Sequence, residues 1–282
     1  MKRVLVIGGG AAGFFFASNY QEKNPEIEVV ILEKASLPLQ KVKISGGGRC
    51  NVTNATFIPR ELVKNYPRGS KELMSVFSQF QPSDTLEWFN SRGVKFLIQE
   101  DNRVFPETNN SQTIIDCLFH TALKSGVKFY NKQSVKNIMK KGATWIVETQ
   151  TQTFKTDKVV VTTGNSKIIW NVLKGLNHTI IKPVPSLFTF NCDDKRIEGM
   201  MGLALPHCET KIKELKAKDF GSVLITHWGF SGPGILKLSA WKARELAELN
   251  YQFTLQINWL SEDFNHVIEV LKSFKVEQFK TQ

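Results

Sequence analysis

Gly8, Gly10 and Gly13 stand between an apolar, β-branched run, Val4-Leu5-Val6-Ile7, and a helix-like stretch from Phe14 to Gln21. This spacing constrains the fold more than any other feature. Gly8 permits a tight turn, Gly10 lets a pyrophosphate approach the backbone, and Gly13 lets the helix lie close on the strand. The unsatisfied N–H groups of the helix start, around Ala11 and Ala12, then face the phosphates. Asn24-Pro25 breaks the helix, and Glu28-Val29-Val30-Ile31-Leu32 reads as a second strand that ends at Glu33. A β-α-β connection of this length is right-handed, with parallel strands. Glu33 lies 20 residues after Gly13. A carboxylate there accepts hydrogen bonds from ribose hydroxyls and repels a 2′-phosphate. Residues 1–33 therefore predict a site for an adenine dinucleotide.

These features suit NAD and FAD equally. The segment that follows separates them. Lys34 and Lys41 lead into Ser45-Gly46-Gly47-Gly48-Arg49-Cys50-Asn51-Val52-Thr53-Asn54, which is too rich in glycine for a helix or a strand. Such a loop brings backbone N–H groups, Ser45, Arg49 and Asn51 against a ligand. An NAD-type domain has no use for a second glycine loop, so the reading is FAD.

The Ser45–Asn54 run is also where the chain resembles a known family, the bacterial BaiN-like or aminoacetone-oxidase-like NAD(P)/FAD-dependent flavoproteins. Their signature, Ile-Ser-Gly-Gly-Gly-Arg-Cys-Asn-Val-Thr-Asn, is matched by Ile44 to Asn54. Further likenesses are Arg103-Val104-Phe105-Pro106, the strand Val159 to Gly164, and Thr226-His227-Trp228-Gly229-Phe230-Ser231-Gly232-Pro233. The resemblance implies an α/β fold: a two-dinucleotide-binding-type, Rossmann-like FAD domain with an inserted second domain, mostly β with some helix. It also implies that the Val135 backbone passes the adenine and that Thr163 and Gly164 close on the dinucleotide from the other side. Without it, Val135 reads as an ordinary strand residue. The sequence departs from the family at Asn165-Ser166-Lys167, where the family continues with glycines.

Family members run on for roughly another hundred residues, a length typical of part of a domain. That part returns to the FAD domain. The resemblance thus implies that this chain is a fragment or a shortened member whose FAD domain is incomplete at its C-terminal end. The expectation is weakened flavin affinity and low or absent turnover for the chain alone.

Texture along the chain suggests an FAD-binding domain over 1–168 and a second, substrate-facing domain over 169–282. Helices are expected at 71–80, at 83–92 with Ser83 as N-cap, at 113–125, and at 261–274 with Ser261 as N-cap. Short strands and turns are expected from about 170 to 260. The apolar runs are far shorter than the ~18 residues of a membrane span, and no signal-peptide pattern follows Met1-Lys2-Arg3, so the reading is a cytoplasmic protein. Cys50, Cys117, Cys192 and Cys208 are scattered, without metal-ligand spacing. No metal is predicted.

A flavin carries its own redox chemistry, so no side-chain nucleophile is required. Cys50, beside Arg49, is a candidate redox thiol, with a structural thiol as the simpler reading. His227 and Trp228, in a glycine-flanked loop, are candidates for facing the flavin. No second glycine triplet serves NAD(P)H, so a nicotinamide donor visits transiently. The net charge of +11 reads as dispersed, solvated lysines rather than a nucleic-acid face. Three functions compete: an FAD-dependent oxidoreductase acting on a small molecule or oxygen, a non-catalytic nucleotide-binding remnant, and a tRNA-directed flavoprotein. The last would require a clustered basic face beside the flavin. Oligomeric state is not legible.

Overall fold

The computed structural model describes residues 2–280. They divide into two compact units, Met1–Ile181 and Lys182–Gln282.

In the first unit, β1 (Arg3–Ile7), α1 (Ala11–Lys23) and β2 (Glu28–Leu32) form the expected β-α-β. A long excursion follows through α2 (Gln40–Ile44), β3 (Thr53–Asn54), α3 (Pro59–Leu62), α4 (Ser70–Phe77), α5 (Pro82–Asn90), β4 (Phe96–Ile98) and β5 (Arg103–Pro106). The chain then returns through α6 (Ser111–Lys124) and β6 (Lys128–Tyr130). β7 (Val135–Lys141), β8 (Thr144–Thr149) and β9 (Thr153–Thr156) form an antiparallel meander, followed by β10 (Lys158–Val161) and α7 (Lys167–Gly175). The main sheet has the order β10-β1-β2-β6, all parallel.

The continuous apolar runs of β1 and β2 follow from burial on both faces. Val4, Val6, Val29 and Ile31 pack with Phe14 and Ala17 of α1 and with Ile114 and Leu118 of α6. The alternate residues Leu5, Ile7, Val30 and Leu32 pack with Val135, Ile138 and Val147 of the meander and with Ile169. Helices therefore cover one face of the sheet and the meander covers the other. The expected boundary at 168/169 falls inside α7. Ile169 is buried in the first unit's core, so residues 169–181 belong with that unit.

At the far end of the sheet, Glu28 accepts hydrogen bonds from Lys128 (2.6 Å) and from the Arg3 guanidinium. These partners, Lys128 first, hold its carboxyl below the usual carboxylate range. A lowered folded pKa stabilises the fold above the unfolded value of about 4.3, and the contribution is lost as pH falls through the folded pKa. Both bases are partly exposed, so the effect is small. Glu28→Gln is expected to lower Tm by about 2 °C at pH 7, with the gap to wild type closing below about pH 4. Thermal melts across pH check it.

One expected cap and one expected helix start are corrected. Ser83 is not an N-cap: Pro82 takes the first helical position of α5, and the Asp84 carboxylate accepts the Gln81 N–H at 2.7 Å. The helix expected at 113–125 starts at Ser111, where the Asn110 side chain accepts the Gln112 N–H.

The second unit contains β11 (Phe190–Asn191), β12 (Ala204–Ile212), β13 (Ala217–Thr226), β14 (Gly229–Ser231), α8 (Pro233–Trp241), α9 (Ala243–Glu248), β15 (Leu255–Asn258) and α10 (Phe264–Lys280). Its sheet is antiparallel, in the order β11-β14-β13-β12-β15. The expectation of strands and turns to 260 missed α8 and α9. Pro233 opens α8 as its first residue rather than ending an element. The helix lies so close to β13 that a Cβ on Gly221 would sit 2.8 Å from the Gly234 nitrogen. Ser261 also caps nothing: its hydroxyl donates to the His207 carbonyl, and the helix begins at Phe264, with Asp263 accepting the Asn265 N–H.

Candidate functional site

The glycine turn joins β1 to α1, and its glycines are required for different reasons. Gly8 has φ +112° and faces Thr162, whose carbonyl oxygen would lie 2.6 Å from an added Cβ. A Cβ on Gly13 would stand 2.1 Å from the Gly8 carbonyl oxygen and 2.9 Å from Thr162 Oγ1. Gly9 faces Glu33, whose Cβ would be 2.9 Å away. Gly10 is unlike the others. Its φ of −91° suits any residue, and an added Cβ would meet nothing within 4 Å. Nothing inside the protein asks for glycine there. What a side chain at Gly10 would occupy is the open space in front of the first turn of α1, where Ala11 and Ala12 are exposed. Their amides have no backbone partner among the described residues. That space is a cradle for an anion against a helix N-terminus.

Glu33 directly follows β2, at the edge of this space. Its Oε2 accepts the Gly9 N–H at 2.7 Å and its Oε1 accepts the Ala35 N–H at 2.8 Å. The carboxylate is thus fixed in orientation and keeps lone pairs for further donors. The Gln133 N–H donates to the Glu33 carbonyl at 2.8 Å. This brings the start of β7 alongside; the Val135 side chain itself is buried in the core with Leu32. Lys34 is exposed just beyond the carboxylate.

The opposite wall comes from the end of β10. Thr162 Oγ1 lies 3.0 Å from the Ile7 carbonyl oxygen and 2.9 Å from that of Gly8, tying this strand to the glycine turn. Thr163 follows, its Cα 3.0 Å from where a Gly8 Cβ would be. Gly164, at φ +58°, lies against the Lys41 ammonium, 3.6 Å from an added Cβ. Lys41 is on α2, whose start docks on the turn through a 2.9 Å bond from the Leu39 N–H to the Gly9 carbonyl. The structure thus brings together Gly8, Gly10, Gly13, Glu33, Lys41, Thr163 and Gly164. Thr162 and Gly9 were not among the residues singled out from sequence. A threonine directly before Thr163-Gly164 at a strand end was the available signal for the first.

The second glycine loop leaves the C-terminal end of α2. Gly46, Gly47 and Gly48 have φ of 56°, 67° and 84°, and Cys50 has φ 61°. Three successive left-handed residues explain the glycine run. Gly46 is also pressed against the Asn51 nitrogen and the Phe105 ring. Ser45 turns its hydroxyl back to the Val42 carbonyl at 2.7 Å. Asn51 Oδ1 accepts the Val104 N–H at 3.3 Å, which fastens the loop to β5. The Arg49 guanidinium stacks over Phe105, 4.3 Å from the ring centroid, and donates to the Gly46 carbonyl. Cation–π stacking holds an arginine without neutralising it.

Cys50 does not suit the role of a redox thiolate. It is buried, and burial pushes its thiol above the ordinary value against a smaller opposing effect of Ser45. Arg49 points to Phe105 instead of activating it. Cys50 is expected to react with a disulfide reagent at least ~10-fold more slowly than a free thiol of ordinary pKa, measured by following the released chromophore. His227 and Trp228 form the exposed two-residue tip between β13 and β14, with ring centroids 4.2 Å apart. They lie in the second unit.

Residues 2–236 match the HI0933-like protein Rossmann domain. The chain belongs to this family. Its fold is the Rossmann-like, FAD-binding type of mixed α/β content. Among curated relatives of this HI0933-like chain, the 3-dehydro-bile acid delta(4,6)-reductase of Clostridium scindens is 24% identical over 275 residues, covering 93% of the chain and 65% of the relative. The ribosomal RNA dihydrouridine synthase of Escherichia coli is 24% identical over 258 residues, covering 87% and 62%. The chain therefore spans less than two thirds of the length of these relatives. Among solved structures, Thermovibrio ammonificans THI4 is similar at 12% identity with a TM-score of 0.44, covering 66% of each chain.

Proposed function

We propose that this chain binds FAD and acts as an FAD-dependent oxidoreductase, with electrons from NADH or NADPH passing to a small molecule or to oxygen. The observation that carries the reading is Gly10. It is a glycine with ordinary backbone angles and open space in front of it, at the start of a helix with unpartnered amides. Close approach of a ligand to the backbone is the reason left for glycine there.

The residues present fit the dinucleotide. The first-turn amides of α1 would hold the pyrophosphate at Gly10, and Glu33 would receive ribose hydroxyls. Lys41, beside Gly164, would add a positive charge. The second glycine loop supplies backbone N–H groups and the Arg49 guanidinium, which is what distinguishes an FAD site from an NAD site. When bound, the flavin supplies hydride and electron transfer. The protein's part is to bind the dinucleotide, orient it and keep its charges paired.

The test is the absorption spectrum of the purified chain supplemented with FAD and freed of excess. This reading departs from the weakened affinity and low turnover that the family resemblance implies: flavin bands are expected to persist after gel filtration and to bleach anaerobically with NADH or NADPH. Bound flavin that neither nicotinamide reduces would assign a non-catalytic nucleotide-binding role. Absence of any retained flavin would overturn the proposal.

A further inference from the structure

Gly8 and Gly9 are joined by a peptide group whose two ends are held by different side chains. Its carbonyl oxygen, on Gly8, lies 2.9 Å from Thr162 Oγ1. Its N–H, on Gly9, donates to Glu33 Oε2 at 2.7 Å. Thr162 directly follows β10 and Glu33 directly follows β2. These are the two strands that flank β1 in the sheet, so one peptide plane is gripped from both sides of the strand that leads into it.

The hydroxyl's grip has no substitute nearby. Among the described residues, the Gly8 carbonyl accepts no backbone N–H. The hydroxyl's other neighbour, the Ile7 carbonyl at 3.0 Å, already accepts the Thr162 N–H at 2.9 Å. A hydroxyl has one proton to give, and the oxygen in need of it is that of Gly8. This oxygen is turned under α1, 2.1 Å from where a Gly13 Cβ would stand. A carbonyl enclosed there without a donor is destabilising. Glycine on both sides also leaves the peptide without a Cβ to stop it rotating. The Thr162 hydroxyl therefore selects one orientation of a peptide that the local chain leaves free.

We infer that Thr162 is a positioning residue for the dinucleotide. Its hydroxyl holds the Gly8 carbonyl, which keeps the Gly9 N–H aimed at Glu33 and the carboxylate at the edge of the anion cradle. The same peptide fixes the turn that carries Gly10 and the amides of Ala11 and Ala12. The cradle is thus formed before a ligand arrives, and binding carries no cost of ordering the turn. The effect on affinity rests on the dinucleotide reading of this site; the effect on the turn does not.

The test compares Thr162→Ala, which removes the hydroxyl, with Thr162→Ser, which keeps it and removes the methyl, both in the full chain. Amide exchange of the flavin-free protein is followed by mass spectrometry, and FAD affinity by calorimetry. In Thr162→Ala, residues 8–13 are expected to exchange ~5- to 10-fold faster, the measure of one lost hydrogen bond, while β2 and α6 keep wild-type rates. FAD is expected to bind ~10-fold more weakly. Thr162→Ser is expected to stay within about twofold of wild type in both. Faster exchange throughout β2 and α6 would show a general loss of stability and overturn the inference. So would wild-type exchange of the turn in Thr162→Ala, faster exchange with unchanged FAD affinity, or equal losses in the two variants. A wild-type chain that binds no FAD would refute the dinucleotide reading, a result the exchange rates tell apart from failure of the hold on the turn.

Discussion

Replacing Gly13 by alanine is expected to lower the stability of the first unit by about 3 kcal/mol or more, or to leave the chain insoluble. The added methyl would stand 2.1 Å from the Gly8 carbonyl oxygen and 2.9 Å from Thr162 Oγ1. Neither neighbour is free to move. The Gly8 N–H donates to the Leu32 carbonyl at 2.8 Å, and Thr162 is tied to both Ile7 and Gly8. Relief therefore requires α1 to lift from the sheet. That would uncover Phe14 and Ala17, both fully buried in the core beneath it. Overpacking that shifts backbone in a close-packed core costs ~1–3 kcal/mol or more, and loss of helix packing adds to it. Alanine's better helix propensity recovers only about 1 kcal/mol. A denaturant titration of the variant measures the loss, and a midpoint equal to wild type would contradict the packing described.

Gly10→Val separates binding from folding. Its backbone angles suit an L-residue and no atom lies within 4 Å of the added Cβ. Only the weaker capping of valine counts against it, about 1 kcal/mol at most. The side chain would nevertheless occupy the space in front of the Ala11 and Ala12 amides. A pyrophosphate held there would lose its backbone contacts, and charge-assisted hydrogen bonds contribute ~1.5–3 kcal/mol each. Loss of two corresponds to FAD affinity at least ~100-fold weaker. The expected pair of results is a nearly unchanged melting curve and no retained flavin. A variant that keeps its flavin would place the ligand elsewhere.

How much of this could be read from sequence follows from the range of the interactions. Gly8, Gly10, Gly13 and Glu33 belong to one β-α-β unit, where the chain's own geometry fixes the partners, so the spacing alone sufficed. The role of Gly9 was not visible, because it depends on how closely the Glu33 side chain folds back over the turn. The meeting of Lys41 with Gly164 spans more than a hundred residues. It follows only from the placement of β10 beside β1 in the parallel sheet. Burial is likewise a tertiary property: beside Arg49, Cys50 was a candidate redox thiol with a structural thiol as the simpler reading, and the fold buries the thiol and sends the guanidinium to Phe105.

The second unit was less legible because the same residues serve two purposes. Gly232-Pro233 reads as a turn, yet it starts α8, whose buried Ile235, Leu238 and Ser239 recur at helical spacing. Ser261 stands where a cap was expected, but its hydroxyl is engaged by His207 and Asp263 takes the capping role.

The most direct test of the central claim is a calorimetric titration of FAD, and separately of NAD, into the flavin-free chain. The site described here predicts one FAD per chain, bound at least ~100-fold more tightly than NAD, since the second glycine loop is the feature that favours FAD over NAD. Equal or tighter binding of NAD, or no binding of either dinucleotide, would contradict it.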